Sequence, residues 1–317
     1  MSNLSDMSIE DRKLHMELKY YLQLKDRELE DMVTDLVNNA KRCERGGGSK
    51  DRILFVIGHS DTGKSTALAR LFKRMEAFQP YEDEFGKRVV PLLSIRCPPD
   101  CSPKSLADTV LNKWNLYAKA NQNAVSRWAM VARQLQFRGI RYLHFDEMQH
   151  VNTGGTEGAI LQVQDFVKGL TEIDDWPLHL ILSGTPKMKR FMESDEVANR
   201  AKVQRFHLVK STKKNAEAIG KVVRQIVEDD AGLQIGWTEE DELMARLIVA
   251  SKGAFATMIK ITQKACFRVL DSAGTNVTVG DFAAAYKSRR GNLAADNPFT
   301  TSDWRSINPS HSLSDMD

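Results

Sequence analysis

The sequence predicts an α/β fold, a parallel sheet flanked by helices, followed by a small all-helical domain. Three observations predict it. Between residues 53 and 183, apolar runs of strand length alternate with helical patterns, which is how a parallel sheet covered on both faces reads. The first run, Ile53-Leu-Phe-Val-Ile57, contains no polar residue, so neither of its faces is meant for water. Beyond residue 211 the strand signal stops and amphipathic helical patterns follow.

Taken in order, Ser8 with Asp11 three residues on caps a helix running to about residue 24. In the next helix Leu29, Met32, Val33, Leu36, Val37 and Ala40 form one apolar stripe. Gly46-Gly47-Gly48 ends it, so residues 1–48 read as an N-terminal helical segment. A sheet-bearing domain follows over 49–210. Its first strand, 53–57, runs through a loop into a helix at 65–75, and a second strand is expected at 89–96. Ser102 as N-cap and Pro103 at the first helical position open a helix with Leu106, Val110, Leu111 and Trp114 on one face. Further strands are expected at 141–146 and 179–183. Helices at 213–228, 238–250, 255–270 and 278–287 make the helical domain, 211–290. Two of them open with capping boxes, Thr238 with Asp241 and Thr278 with Asp281. The tail, 291–317, is rich in Ser, Asn, Asp and Pro without periodicity and is expected to be disordered.

Composition narrows the function class. With 45 Lys and Arg against 42 Asp and Glu, the formal charge is +3, so a nucleic-acid surface, if present, has to be local. No apolar run reaches the ~18 residues that span a bilayer, and the polar, acidic start is no signal peptide; a cytoplasmic protein without membrane partners is expected. Of the four cysteines, Cys97 and Cys101 are spaced C-x₃-C. A zinc site needs two more ligands at comparable spacing, which the neighbouring sequence does not offer, so reduced thiols are expected.

The chemistry concentrates at Gly58-His59-Ser60-Asp61-Thr62-Gly63-Lys64-Ser65, which matches G-x-x-x-x-G-K-S/T without a mismatch. The glycines let successive N–H groups point at phosphate oxygens, and the following helix adds its positive end. Lys64 is placed for the β- and γ-phosphates of ATP and Ser65 for Mg²⁺; Thr66 continues the binding segment. The motif follows a strand and precedes a helix, as it must. Asp61 is unusual, because a carboxylate repels phosphate; it is expected to face away or to meet a partner.

A second strand ends in two carboxylates, Asp146 and Glu147. Asp146 is expected to orient the metal's water shell and Glu147 to polarise the attacking water. After the next strand comes Ser183-Gly184-Thr185. With a phosphate loop upstream, this order of motifs resembles AAA+ ATPases, in whose sheets a polar residue at this place contacts water or the γ-phosphate. Thr185 is the first choice for it and Ser183 the second. Arg200 and Arg205 follow; an arginine here can reach a neighbouring subunit's γ-phosphate.

The segments Arg96-Cys-Pro-Pro-Asp-Cys-Ser-Pro-Lys104, Phe145-Asp-Glu-Met-Gln-His150, Ser183-Gly-Thr-Pro186 and Asp195-Glu-Val-Ala-Asn-Arg200 resemble the TniB/TnsC family of DNA-transposition ATPases, relatives of MuB. The resemblance covers about residues 53 to 270. It implies an ATP-bound ring or filament of the chain with itself around duplex DNA, contacted without regard to sequence. It also implies recruitment or stimulation of a transposase at target sites, and it leaves room for a targeting protein. Lys104 matches a backbone-contacting position of the family, with Lys113 and Lys119 on the flank of its helix; such contacts are salt-sensitive. Arg200 matches the family's finger position better than Arg205. One departure is Ala256-Thr257 after Gly253, where no arginine is available as a second nucleotide sensor; Lys252 and Lys260 are the substitutes. In the tail, Phe299 and Trp304 suggest a short partner-docking motif. The alternative reading is a nucleotide-switch adaptor in signalling or secretion that binds no nucleic acid; Glu147 argues against it. A small-molecule kinase is a weaker third reading, because it calls for an arginine-rich lid.

Overall fold

The structure, a computed structural model, describes residues 7–151, 156–176, 178–193, 195–290, 296–307 and 309. In chain order it begins with α1 (Ile9–Leu18), α2 (Leu24–Cys43), β1 (Ile53–Gly58) and α3 (Lys64–Arg74). Then come β2 (Tyr81–Glu82), β3 (Arg88–Val89), β4 (Leu92–Arg96), α4 (Pro103–Asn112), α5 (Ala124–Phe137) and β5 (Tyr142–Asp146). They are followed by α6 (Glu157–Thr171), β6 (His179–Gly184), the short α7 (Lys189–Met192) and α8 (Asp195–Ala198), and β7 (Ala201–Phe206). The last elements are α9 (Lys213–Arg224), β8 (Gln234–Ile235), α10 (Leu243–Ala250), α11 (Phe255–Asp271), β9 (Asn276–Val277) and α12 (Val279–Arg290). No described helix is long and apolar enough to cross a membrane.

Two compact units result. One comprises Gln23–His59 and Lys64–Phe206; the other comprises Met1–Leu22, Ser60–Gly63 and His207–Asp317. The N-terminal helices therefore do not form a segment of their own. α2 belongs with the sheet: its Glu28 and Asp35 side chains meet Gln204 and Lys202 on β7, and its buried Asn39 bonds the carbonyls of Ser49 and Asp51. α1 belongs with the C-terminal helices, burying Met16 among them. The helix at Ser8 is capped as expected but stops at Leu18, and the chain is extended before α2 begins.

The sheet unit carries five parallel strands in the order β4-β5-β6-β1-β7. β1 and β6 lie inside, and Phe55, Phe145, Leu180 and Leu182 are essentially inaccessible. Each such side chain contributes roughly 1.5–3 kcal/mol over leaving it exposed. The register sets Ile53 opposite Leu180 and Ala201, and Gly58 opposite Phe206. The loops after β1, β5 and β6 thus leave from one carboxyl edge, which is where open α/β sheets bind ligands.

Three differences from the sequence-based expectation have simple causes. The strand expected at 89–96 is two strands. Pro91 has no N–H for a ladder, so Arg88–Val89 pairs antiparallel with β2 while Leu92–Arg96 joins the main sheet. β7 is a further strand, absent from the expected set; it is an edge strand whose Lys202 and Arg205 are exposed, so it lacks a continuous apolar run. α5 is an additional helix: Asn123 caps it, and Trp128, Val131 and Leu135 repeat along its buried face.

In the helical unit, α9 widens into a π turn over Gln225–Asp230. The capping box at Thr238 heads only a 3₁₀ turn, after which Glu242 turns left-handed at φ 49° and α10 begins. The tail reading also changes. Phe299 packs edge-on to Tyr286 and tilted against Phe282, and it and Trp304 are only 5% and 2% exposed. Arg246 donates to the carbonyls of Pro298 and Thr301 and lies over the Trp304 ring. Polar composition hid two core aromatics, whose surfaces are already covered within this unit. The remainder of the tail, 291–295, 308 and 310–317, lies outside the described residues.

Candidate active site

β1 delivers the chain to Gly58, and α3 begins at Lys64. Between them Asp61 and Gly63 adopt positive φ, 57° and 95°, a conformation glycine takes freely and aspartate at some cost. Lys64 is 8% exposed. Its Nζ donates to the carbonyls of Gly58 at 2.7 Å and His59 at 2.8 Å, which curls the loop over its own lysine. Thr62 is buried, whereas His59, Ser60, Ser65 and Thr66 are exposed or nearly so.

Asp146 ends β5 opposite Arg96 of β4. One of its oxygens, Oδ2, lies 3.3 Å from Ser65 Oγ. The other, Oδ1, accepts from Ser183 Oγ at 2.5 Å and from the Glu147 N–H at 3.0 Å. The serine hydroxyl and carboxylate expected to share a divalent ion are therefore side by side. Hard oxygen donors of this kind suit Mg²⁺, which is bound through one or two protein groups plus water and substrate phosphates. Among the described residues no group of three or more His, Cys, Asp or Glu side chains is arranged to hold a metal. Cys97 and Cys101 are buried thiols; the hydrogen bond to Cys101, together with burial, pushes the Cys97 thiol up. Cys97 Sγ also meets Met148 Sδ at 3.3 Å, so this pair is core.

Of the two candidates at the end of β6, Ser183, within the strand, is the one that touches Asp146. Thr185 sits one turn further, its N–H bonded to Gln149 Oε1 at 3.0 Å, and its buried hydroxyl has no hydrogen-bond partner within the described chain. A buried hydroxyl of that kind carries a desolvation cost unless a ligand or water satisfies it.

Three residues that sequence reasoning did not single out complete the arrangement. His144 lies on β5 two residues before Asp146. Its Nε2 is 2.8 Å from Ser183 Oγ and its Nδ1 2.8 Å from Ser94 Oγ. Since Ser183 donates to Asp146, it accepts from His144 Nε2–H, and Nδ1 accepts from Ser94. Burial lowers the His144 pKa to about 4, against the pull of the Asp146 charge, so the ring is neutral at pH 7 and serves as a fixed link. Gln149 is the third. Its amide donates to Glu147 Oε2 while its carbonyl oxygen takes the Thr185 N–H, so one side chain ties the second carboxylate to the end of β6. Glu147 itself is held at φ 59°, a strained backbone of the sort stored at functional sites.

Arg200 lies just before β7, at the amino end of the sheet, and pairs with Glu172 at 2.5 Å. Arg205 is exposed on β7 opposite Ile57. Lys104 is exposed in the first turn of α4, whose N-cap is Ser102 as expected. Its Nζ reaches the Ala120 carbonyl at 3.4 Å, next to exposed Lys119; Lys113 is exposed at the other end of α4. The segment carrying Lys119 is braced by buried Arg127, which donates to the Asp108 carboxylate and to the carbonyls of Lys119 at 3.0 Å and Gln122 at 3.1 Å. Lys104 and Lys119 are thus brought onto one surface.

The sequence model of the bacterial TniB protein family matches residues 23–214. No curated protein matches the chain in sequence. Among solved structures, the chain is similar to the Aeropyrum pernix ORC1 protein in complex with DNA, with a TM-score of 0.60, 17% identity, and coverage of 88% of this chain and 69% of that one. It is also similar to Cdc6p from Pyrobaculum aerophilum (0.57, 12%, 89% and 74%) and to the Aeropyrum pernix ORC2 protein in its ADPNP and ADP complexes (0.56, 13%, 90% and 75%). At these identities, 12–17%, the likeness concerns the fold alone. With the family match covering more than half of the chain, the phosphate loop intact, and Asp146 and Glu147 at the sheet's carboxyl edge, the chain belongs to the bacterial TniB family and is an AAA+ ATPase.

Proposed function

We propose that this protein is an ATP- and Mg²⁺-dependent regulator of DNA transposition that assembles on duplex DNA and recruits or stimulates a transposase at target sites in the cytoplasm. The family match supports the transposition role, and a similar fold is found in a DNA complex. The observation that carries the ATPase part is the contact of Ser65 with Asp146, with Glu147 beside it.

In this reading residues 58–66 bind the triphosphate, Lys64 meets its β- and γ-phosphates, and Ser65 with Asp146 holds the metal. A bound Mg²⁺ supplies neutralisation of the phosphate charge that develops during transfer. Glu147 accepts the proton of the attacking water, oriented by Gln149. Thr185 contacts that water or the γ-phosphate, which would satisfy its buried hydroxyl, while Ser183 holds Asp146. Arg200 completes a neighbouring subunit's site in the assembled state. Lys104, Lys113 and Lys119 contact DNA phosphates without sequence preference.

The test is binding to random-sequence duplex DNA with no nucleotide, with ADP and with a slowly hydrolysed ATP analogue, followed by negative-stain microscopy of the same samples. Rings or filaments on DNA only with the analogue support the proposal. Tight nucleotide binding with no DNA association at low salt discards the DNA role and points to a protein partner.

A further inference from the structure

The two oxygens of Asp146 are in different circumstances. Oδ1 takes the Ser183 hydroxyl at 2.5 Å and the Glu147 N–H at 3.0 Å. A carboxylate oxygen has two lone pairs, so Oδ1 is filled by the chain itself. Among the described residues Oδ2 meets only Ser65 Oγ, at the longer distance of 3.3 Å. The carboxylate therefore offers one oxygen, not two, on the side where Ser65 lies.

The groups that keep Oδ1 filled come from three neighbouring strands. Ser183, buried on β6, has one proton to give, and it goes to Asp146. That direction is favoured because Ser183 Oγ in turn accepts from His144 Nε2–H at 2.8 Å. A neutral imidazole donates from one nitrogen and accepts at the other. With its hydrogen on Nδ1 instead, His144 would present Nε2 as an acceptor and compete with Asp146 for the Ser183 proton. Ser94 disfavours that form. It stands directly opposite His144 in the pairing of β4 with β5, and its hydroxyl donates to Nδ1 at 2.8 Å. Ser65, Ser94, His144, Asp146 and Ser183 all belong to the sheet unit.

The consequence concerns which ion fits. Mg²⁺ demands near-octahedral geometry and is held by one or two carboxylates together with water, whereas Ca²⁺ is larger, takes about six to eight oxygens and accepts both oxygens of one carboxylate. Withholding Oδ1 removes little from the smaller ion and a ligand from the larger one. We propose that the hydrogen-bonded chain Ser94–His144–Ser183 is a selectivity device: by occupying Oδ1 it holds Asp146 to binding through one oxygen, and so favours Mg²⁺ over Ca²⁺. Ser94 is a positioning residue that acts through His144 and Ser183, as groups behind a metal ligand orient it. The inference rests on the phosphate loop and Asp146 holding a nucleotide with its metal.

The experiment is equilibrium titration of the full chain with a slowly hydrolysed ATP analogue over a series of Mg²⁺ and of Ca²⁺ concentrations, with a melting curve for each variant. The readout is the ratio of the two metal concentrations that give half-maximal binding; each metal's own affinity for the analogue cancels between parent and variant. Losing a partner behind a metal ligand changes metal affinity by about 10–100-fold. Ser183→Ala opens a site on Oδ1 and should lower the preference for Mg²⁺ by roughly tenfold, the lower end of that range. Ser94→Ala should shift it in the same direction and by less, and Ser94→Thr, which keeps the hydroxyl, should hold it at the parental value. Ser94 is exposed on the edge strand β4, so its variants test the idea even where Ser183→Ala fails to fold. A preference unchanged in Ser94→Ala and in a folded Ser183→Ala overturns the proposal, however the melting temperatures move, since a chain that only stiffens the sheet alters stability alone. A parent that binds the analogue with neither metal overturns the ATPase reading beneath it instead.

Discussion

Gly184 is where a single methyl group should separate stability from catalysis. It ends β6 with an ordinary strand conformation, so alanine is allowed by its backbone, but the new Cβ would lie 2.5 Å from Gln149 Oε1 and 2.5 Å from Met188 Sδ. Both are ends of flexible side chains and will move aside. Overpacking of this kind costs about 1–3 kcal/mol. Displacing Gln149 also removes the acceptor for the Thr185 N–H, and an unsatisfied buried donor costs about 1–3 kcal/mol. The two overlap in one motion, so about 2–4 kcal/mol in total is expected, a fall in melting temperature of roughly 5–10 °C for a unit of this size. Glu147 loses the amide that holds it, and ATP turnover should drop at least about tenfold while nucleotide affinity, set by the phosphate loop, stays within about twofold. Gly184→Ala is to be measured by thermal melting, nucleotide titration and steady-state ATPase assays. Adding Gln149→Ala relieves part of the clash, so the double variant should regain stability without regaining turnover. Parental turnover in Gly184→Ala, or turnover recovered together with stability in the double variant, would refute the role given to Gln149.

Other outcomes follow from the same geometry. Glu147→Gln should retain ATP and trap the assembled state, with turnover down by on the order of 10²-fold or more; parental hydrolysis in a phosphate-release assay would show that another group polarises the water. Lys104→Ala should weaken duplex binding without changing ATP affinity and make the slope of log affinity against log salt shallower by about 1; equal affinity at several salt concentrations counts against it. Stability should depend on His144. Its folded pKa is depressed from 6.5 to about 4 by burial, so below pH 6.5 the unfolded chain takes up a proton that the folded one refuses. Stability is fully present above that pH and is lost as pH falls toward 4, by on the order of 3 kcal/mol. Urea titrations from pH 7.5 to 4.5 should show this loss, and His144→Gln should flatten it.

The parts of the site that could be read in the sequence are those contiguous in the chain. The phosphate loop is eight consecutive residues between a strand and a helix, and Asp146 and Glu147 end an apolar run. What could not be read is set by strand register. Ser183 meets Asp146 because β6 pairs with β5 so that Leu182 faces Phe145; a shift of one residue would have offered Gly184 instead. The same pairing makes His144 a link between Ser94 and Ser183, three residues on three different strands. Fold class followed from the alternation of patterns, whereas the Pro91 break was readable from proline's missing donor alone. The tail illustrates the opposite case: two aromatics in a mostly polar stretch of twelve residues, 296–307, have no period to betray that they are core.

The helical unit draws on both ends of the chain, since Met16 and Tyr21 are buried with Ile226, Phe282 and Tyr286, and Tyr21 donates to the Asp230 carboxylate more than two hundred residues away. During synthesis the sheet unit has all of its strands once residue 206 has left the ribosome, while α1 waits for helices made last. That ordering puts a high-contact-order step at the end of folding. It leaves Met16 of α1 and the following Tyr21 without their core partners for the several seconds or more that the last hundred or so residues take, at roughly 5–20 residues per second. Chaperone capture of this protein should therefore centre on its first twenty residues rather than on the sheet.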